Sequence, residues 1–260
     1  MRNLPTVTRY LLIANFIIFF LSGILERNFG IDVNAIGGLH YYNAHSFHWW
    51  QPFTYMFLHA NLSHILFNML AVWMFGATLE NAWGSRRYLI YYIVCGLGAA
   101  FIQECVWSVM LSNMADTYDA FSIARYAYNL TTIGASGAVF GVLFAFGWLF
   151  PDTPMFLLFI PIPIRARTIV IIYAIVELFA GMGNMMGTHI DNVAHFAHLG
   201  GMLFGWLLLL YWRRNNWHEP GSSEWWWKVK QKCRELFNRH QRLDSTKEKD
   251  YDNYHYHKRL

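Results

Sequence analysis

Residues 194–212 read AHFAHLGGMLFGWLLLLYW, a run without Lys, Arg, Asp or Glu. A helix needs about 20 mostly apolar residues to cross the hydrocarbon core of a bilayer. The run is therefore long enough to span, yet it carries two histidines and three glycines. Five more segments have the same character, at roughly 10–25, 57–79, 88–110, 132–150 and 166–184. Each is bounded by charge, proline or a polar cluster. The expected fold class is all-α: a polytopic membrane protein with six transmembrane helices in a bundle.

Composition agrees. The chain has 260 residues, 55% hydrophobic and only 14% charged, against about 25% charged in an ordinary soluble domain. The deficit is uneven. Of the 20 Lys and Arg, eight lie before residue 213, all of them Arg, and twelve follow it. Two regions are expected: a membrane core over 1–212 and a basic tail over 213–260. With the N-terminus cytoplasmic, Arg2, Arg9, Arg86, Arg87, Arg165 and Arg167 fall inside, and only Arg27 and Arg125 outside. The bias of positive residues to the cytoplasmic side then puts both termini in the cytoplasm. Anionic lipid, rather than nucleic acid, is the simple partner for the tail. Trp226, Val229, Cys233, Leu236 and Phe237 recur there at helical spacing and predict a short amphipathic helix on the inner leaflet, followed by a disordered end from Ser245. The three cysteines show no pairing or metal-type spacing.

The loop over 26–56 is rich in Tyr, His and Trp and is expected at the interface. Between the fourth and fifth segments stand Pro151, Pro154, Pro161 and Pro163. Proline at that spacing excludes a helix and predicts an extended connector.

Polar side chains in lipid are expensive, so each needs an account. His64 and Asn68 lie four apart on one face of the second helix. Ser136 sits near the outer start of the fourth, inside Gly134-Ala135-Ser136-Gly137. His198 lies about one turn into the sixth, inside Ala197-His198-Leu199-Gly200-Gly201. Singly, a membrane Ser or Asn is usually interhelical hydrogen-bond glue. Together they are harder to dismiss, because topology gives Ser136 and His198 the same depth. Serine is a weak nucleophile without an adjacent base, and a histidine on a neighbouring helix supplies one. Gly137 with Gly141, and Gly201 with Gly205, are small-x-x-x-small patterns that let two helices approach closely. His64, Asn68 and the backbone N–H of Ser136 would then hold the oxyanion of an acyl transfer.

These stretches resemble the rhomboid family: His59 to Asn68 with its H-x-x-x-N, the G-x-S-G around Ser136, and the A-H-x-x-G-x-x-x-G of residues 197–205. The resemblance covers about residues 5–212. It implies a serine endopeptidase of membrane-spanning substrates, usually single-pass proteins cut near the outer face. It implies a catalytic Ser136–His198 dyad with no acidic third member, and no Asp or Glu is expected at that depth. It puts His64, Asn68 and Gly134 around the oxyanion, and Phe140, where many members have Tyr, against the catalytic ring. Trp50-Gln51-Pro52 stands where many members have Trp-Arg. Glu80 resembles a position that ties loops together. His195, on the face of His198, is expected to contact substrate or water, because the glycine register selects His198. Glu104 and Glu177 have no assigned role. The end of the fifth helix and the loop Gly183 to Asn192 are the expected gate. No cofactor or metal is implied, and the compact body suits a bacterial inner (plasma) membrane. Three rivals stand beside this reading. A zinc site of His59, His64, His195 and His198 lacks H-E-x-x-H and an expected carboxylate. A transporter would need repeated halves. A catalytically inactive rhomboid-like client-binding protein normally loses the Ser or the His.

Overall fold

The computed structural model describes residues 4–157, 160–185 and 193–215. The amphipathic tail helix and the stretch 186–192 of the expected gate lie outside the described residues.

The chain opens with α1 (Thr6–Phe29), which ends where Gly30 turns left-handed at φ 68° and closes the helix onto the Glu26 and Leu25 carbonyls. Its first turn has no capping side chain of its own. Glu80 supplies one from elsewhere: its carboxylate accepts from the Val7 N–H (2.8 Å), the Thr8 N–H (2.7 Å) and the Thr8 hydroxyl (2.8 Å). Orphan N–H groups at a helix start need such an acceptor. The Ser85 hydroxyl donates to the same carboxylate at 2.6 Å.

The loop after α1 is built rather than loose. It holds α2 (Val33–Gly37), β1 (Leu39–His40), α3 (Gln51–Thr54) and a 3-10 turn, Tyr55–Phe57. Gln51 is fully buried. Its Oε1 accepts from the N–H of His40 (3.3 Å) and His48 (3.1 Å), and its Nε2 donates to the carbonyls of Ile36 (3.3 Å) and Ser46 (3.0 Å). A neutral amide thus organises the loop. The Tyr42 N–H donates to Glu104 at 3.0 Å, which gives that carboxylate its partner.

The second long helix begins at Leu62, not at 57, because Asn61 stops the preceding turn and caps the new one by accepting from the His64 N–H at 2.9 Å. It runs through α4 (Leu62–Ala71), a π-helical turn (Val72–Gly76) and α5 (Ala77–Trp83). Then follow α6 (Ser85–Met114) and α7 (Ala120–Asn129), capped by Asp119. The sequence reading had no helix at α7. Next, β2 (Thr131–Thr132) pairs antiparallel with β1, Leu39 opposite Thr132 and His40 opposite Thr131. This two-residue ladder was likewise not foreseen. It holds the loop between α1 and α4 against the approach to Gly134. The next helix, α8 (Ser136–Leu149), therefore starts at Ser136 rather than 132. The proline-rich connector is extended, as its composition dictates, and folds back as a hairpin of β3 (Pro154–Leu157) and β4 (Ile160–Arg165). Finally come α9 (Ala166–Met185) and α10 (His195–Arg214).

Four of the expected spans are long and apolar enough to cross a membrane: Thr6–Phe29, Leu62–Trp83, Ser85–Met114 and Ala166–Asn184. The protein is a multi-pass integral membrane protein. Of the other two, α8 has only 14 residues, and α10 gives positions in its first turns to His195, His198 and three glycines. Large apolar side chains point outward, among them Ile17, Phe20, Phe67, Phe101 and Phe179, as a lipid solvent permits. The interior lies where α6, α8 and α10 meet. Tyr55, Met56, Tyr91, Tyr92, Cys95 and Val142 are buried there. Two of the buried tyrosines bond to the main chain: Tyr91 donates to the Gly141 carbonyl (2.9 Å) and Tyr55 to that of Gly96 (2.6 Å).

Candidate active site

Ser136 is the first residue of α8, after Ala135, and no side chain caps this helix start. Its neighbour Gly134 has φ +131°, a conformation that L side chains rarely adopt. The Gly134 N–H donates to the Tyr55 carbonyl at 2.9 Å, which anchors the turn. The first N–H groups of α8 are left without a side-chain cap, and a helix N-terminus favours negative charge.

His198 lies in the first turn of α10. Its Nε2 is 2.8 Å from Ser136 Oγ. The two helices are held together by the glycines. A methyl group on Gly201 would overlap the Gly137 carbonyl, and one on Gly141 would sit 2.9 Å from the Gly201 carbonyl oxygen. Gly137 is closed in by Ala99 and Gly205 by the Tyr91 hydroxyl, both from α6. Side-chain-free backbones are thus what bring Ser136 and His198 within hydrogen-bond reach. The Phe140 ring, one turn after Ser136, stacks on the His198 ring with centroids 4.2 Å apart and planes 8° apart.

On the other side of the serine stands His64. A Cβ on Gly134 would lie 2.8 Å from its Nε2 and 3.6 Å from Ser136 Oγ, so the imidazole and the hydroxyl flank one point. His59 packs edge-on against His64, ring centroids 5.0 Å apart. Asn68, one turn below His64, is buried, and its Nδ2 has no hydrogen-bond partner among the described residues. A buried N–H2 left unpaired costs about 1–3 kcal/mol.

One expectation is overturned. The site was read as having no Asp or Glu at its depth. Glu177 of α9 is there, buried, with Oε2 at 2.9 Å from His198 Nδ1 and 2.7 Å from His195 Nδ1. Counting residues from the ends of the apolar runs put Glu177 too deep; the packing of α9 on α10 sets it level with both rings. His195, expected to meet substrate or water, instead turns Nδ1 to this carboxylate. The signal was present in the sequence. A carboxylate inside an apolar helix needs a partner, and His195 and His198 are one turn apart on the next helix. Among the described residues, Glu177, His195 and His198 also form a group of metal-type donors, their atoms within 4.8 Å of one another. The rival zinc reading thus has a carboxylate after all, although with a different ligand set from the four histidines considered.

The arrangement can do nucleophilic chemistry: a hydroxyl on a base, the base stacked and oriented, and uncommitted donors opposite. Comparison with known proteins points the same way. The Rhomboid domain family matches residues 46–215. The chain is 28% identical over 210 residues to "Rhomboid protease GluP" of Bacillus subtilis, covering 77% of this chain and 34% of that protein. It is 29% identical over 168 residues to "Rhomboid protease AarA" of Providencia stuartii, covering 62% and 54%. It is 27% identical over 154 residues to "Rhomboid protease GlpG" of Salmonella choleraesuis, covering 58% and 45%. The chain therefore spans between about a third and about half of the length of these relatives.

Proposed function

Since the chain belongs to the rhomboid family, we propose that it is an intramembrane serine endopeptidase with Ser136 as nucleophile and His198 as base. The observation that carries this is the 2.8 Å separation of Ser136 Oγ and His198 Nε2. His198 takes the hydroxyl proton as Oγ attacks the peptide carbonyl. The oxyanion that forms is held by His64, by Asn68 and by N–H groups at the start of α8, with Gly134 leaving room for it. His198 then gives its proton to the leaving amine, and a water, deprotonated in turn by His198, hydrolyses the acyl-enzyme.

The substrates on this reading are membrane-spanning proteins, single-pass ones first, cut near the outer face, where water reaches the shallow serine. They enter from the lipid side past the end of α9 and the Gly183 to Asn192 stretch. All six long helices span, both termini are cytoplasmic, and the core of residues 1–212 is followed by a basic tail that meets anionic lipid. The membrane is the bacterial inner membrane. The competing reading is an inactive relative that binds membrane clients; Asn68 Nδ2, without a partner among the described residues, argues against it, since such a donor suits a ligand that forms only during reaction.

The test needs no known substrate. A fluorophosphonate probe is applied to the protein in lipid and in detergent, wild type beside Ser136→Ala and His198→Ala. Labelling of the wild type alone is expected. A wild type unlabelled in both environments would leave the client-binding relative standing.

A further inference from the structure

We propose that Glu177 is the third, positioning member of the catalytic set, so that this chain works as a Ser136–His198–Glu177 triad in which His195 shares the carboxylate. This rests on the assignment of Ser136 and His198 made above.

For His198 to receive the Ser136 proton at Nε2, that nitrogen must be unprotonated, and the ring's single proton must then sit on Nδ1. A neutral imidazole has no strong preference for that tautomer by itself. Glu177 Oε2, 2.9 Å from Nδ1, accepts from the Nδ1–H form and repels the other. The bond also sets the ring's rotation, together with Phe140 on its face. A carboxylate oxygen has lone pairs for more than one donor, and the second is the Nδ1–H of His195 at 2.7 Å. Two donors offset the cost of keeping an ionised carboxylate buried in an apolar helix, where the side chains of the trio are each exposed by only about a tenth.

The proton inventory is simple. As the Ser136 Oγ–C bond forms, the hydroxyl proton moves to His198 Nε2 and the carbonyl π pair moves onto oxygen. His198 is then doubly protonated and positively charged, and Glu177 stabilises that charge without taking the proton. The groups that act on His198 are accordingly Glu177 from α9, His195 from α10 and His64 from α4. From α8 come the Ser136 hydroxyl and the Phe140 ring, and α6 meets this part of α10 with Ala99 and Ile102.

The alternative role for the same contacts is mechanical, a strap between α9 and α10. The two are separated by rates and by the Nδ1 proton of His198. The fluorophosphonate reaction forms an Oγ–P bond, expels fluoride and moves the same proton to His198, so it reports the base directly. The full-length protein in lipid nanodiscs is compared as wild type, Glu177→Gln and Glu177→Asp, with Ser136→Ala as the blank. Glu177→Gln is expected to lower the maximal labelling rate about 10²-fold, within the range of general-base effects, and to leave the probe's half-saturation concentration unchanged. Glu177→Asp recovers part of the rate. In 15N-histidine-labelled wild type, a strongly deshielded Nδ1 proton is expected, and it is lost in Glu177→Gln.

A Glu177→Gln rate equal to wild type would overturn the proposal. So would losses in Gln and Asp variants that track only their unfolded fraction, or the absence of the deshielded proton from the wild type. Loss of wild-type labelling on chelation, restored by zinc, would overturn it too, since a metal-bound Nδ1 has no proton to donate. If the wild type itself does not label, the protease assignment fails first, and that outcome is distinct from a failure of Glu177 alone.

Discussion

The ring of Phe140 lies parallel to that of His198, 4.2 Å from it and tilted by 8°. One turn of α8 carries both Ser136 and the ring on which His198 rests, so the proposed nucleophile and base are positioned by the same helix. Stacked aromatic pairs are worth about 0.5–1.5 kcal/mol beyond area. Phe140→Ala is expected to lower the labelling rate up to about tenfold, since 1.36 kcal/mol is a factor of ten. Phe140→Tyr, which keeps the ring, recovers most of it. Equal rates for Ala and wild type would mean that the stack does not orient the base.

His64→Ala and Asn68→Ala remove the expected oxyanion donors. Each should reduce turnover of a membrane-embedded substrate by about 10²–10³-fold, the effect of losing one such donor. Thermal unfolding should change little. For Asn68 the loss can even be neutral to stability, because its Nδ2 makes no bond to lose among the described residues. Wild-type turnover in both variants would remove these residues from the site.

Gly201→Ala puts a methyl group onto the Gly137 carbonyl, whereas nothing lies within 4 Å of the same methyl at Gly23 on α1. Overpacking costs typically about 1–3 kcal/mol, and here the obstacle is backbone, which cannot rotate away. Gly201→Ala is therefore expected to lower the unfolding midpoint in detergent and to abolish labelling by separating α8 from α10. Gly23→Ala should do neither. Similar midpoints for the two variants would show that the helices do not depend on this contact.

Glu80→Ala withdraws the acceptor of three α1 groups and of the Ser85 hydroxyl. Hydrogen bonds to a charged group contribute roughly 1.5–3 kcal/mol each, and neighbours compensate in part, so a loss of about 2–4 kcal/mol is expected. Hydrogen exchange at Val7 and Thr8 should rise more than exchange in α6. Uniform exchange across both helices would mean that Glu80 does not cap α1.

Much of the site was legible along the chain because its marks are local. A polar residue inside a 20-residue apolar run stands out without any knowledge of its neighbours. Small residues one turn apart announce a close helix contact, and the glycine spacing after His198 distinguished it from His195. The length of the runs and the prolines of the hairpin are equally one-dimensional. What the tertiary structure decided are contacts between residues far apart that leave no periodic trace. Glu177 reaches histidines 18 and 21 positions away on another helix. Glu80 caps a helix more than 70 residues earlier, and His40 pairs with Thr131. Burial makes such partners obligatory, because lipid and packed protein offer a carboxylate or a free N–H no water in compensation. Which partner satisfies the need depends on the angle and depth at which two helices meet, and that is set by side-chain volumes along the whole interface rather than by any single position.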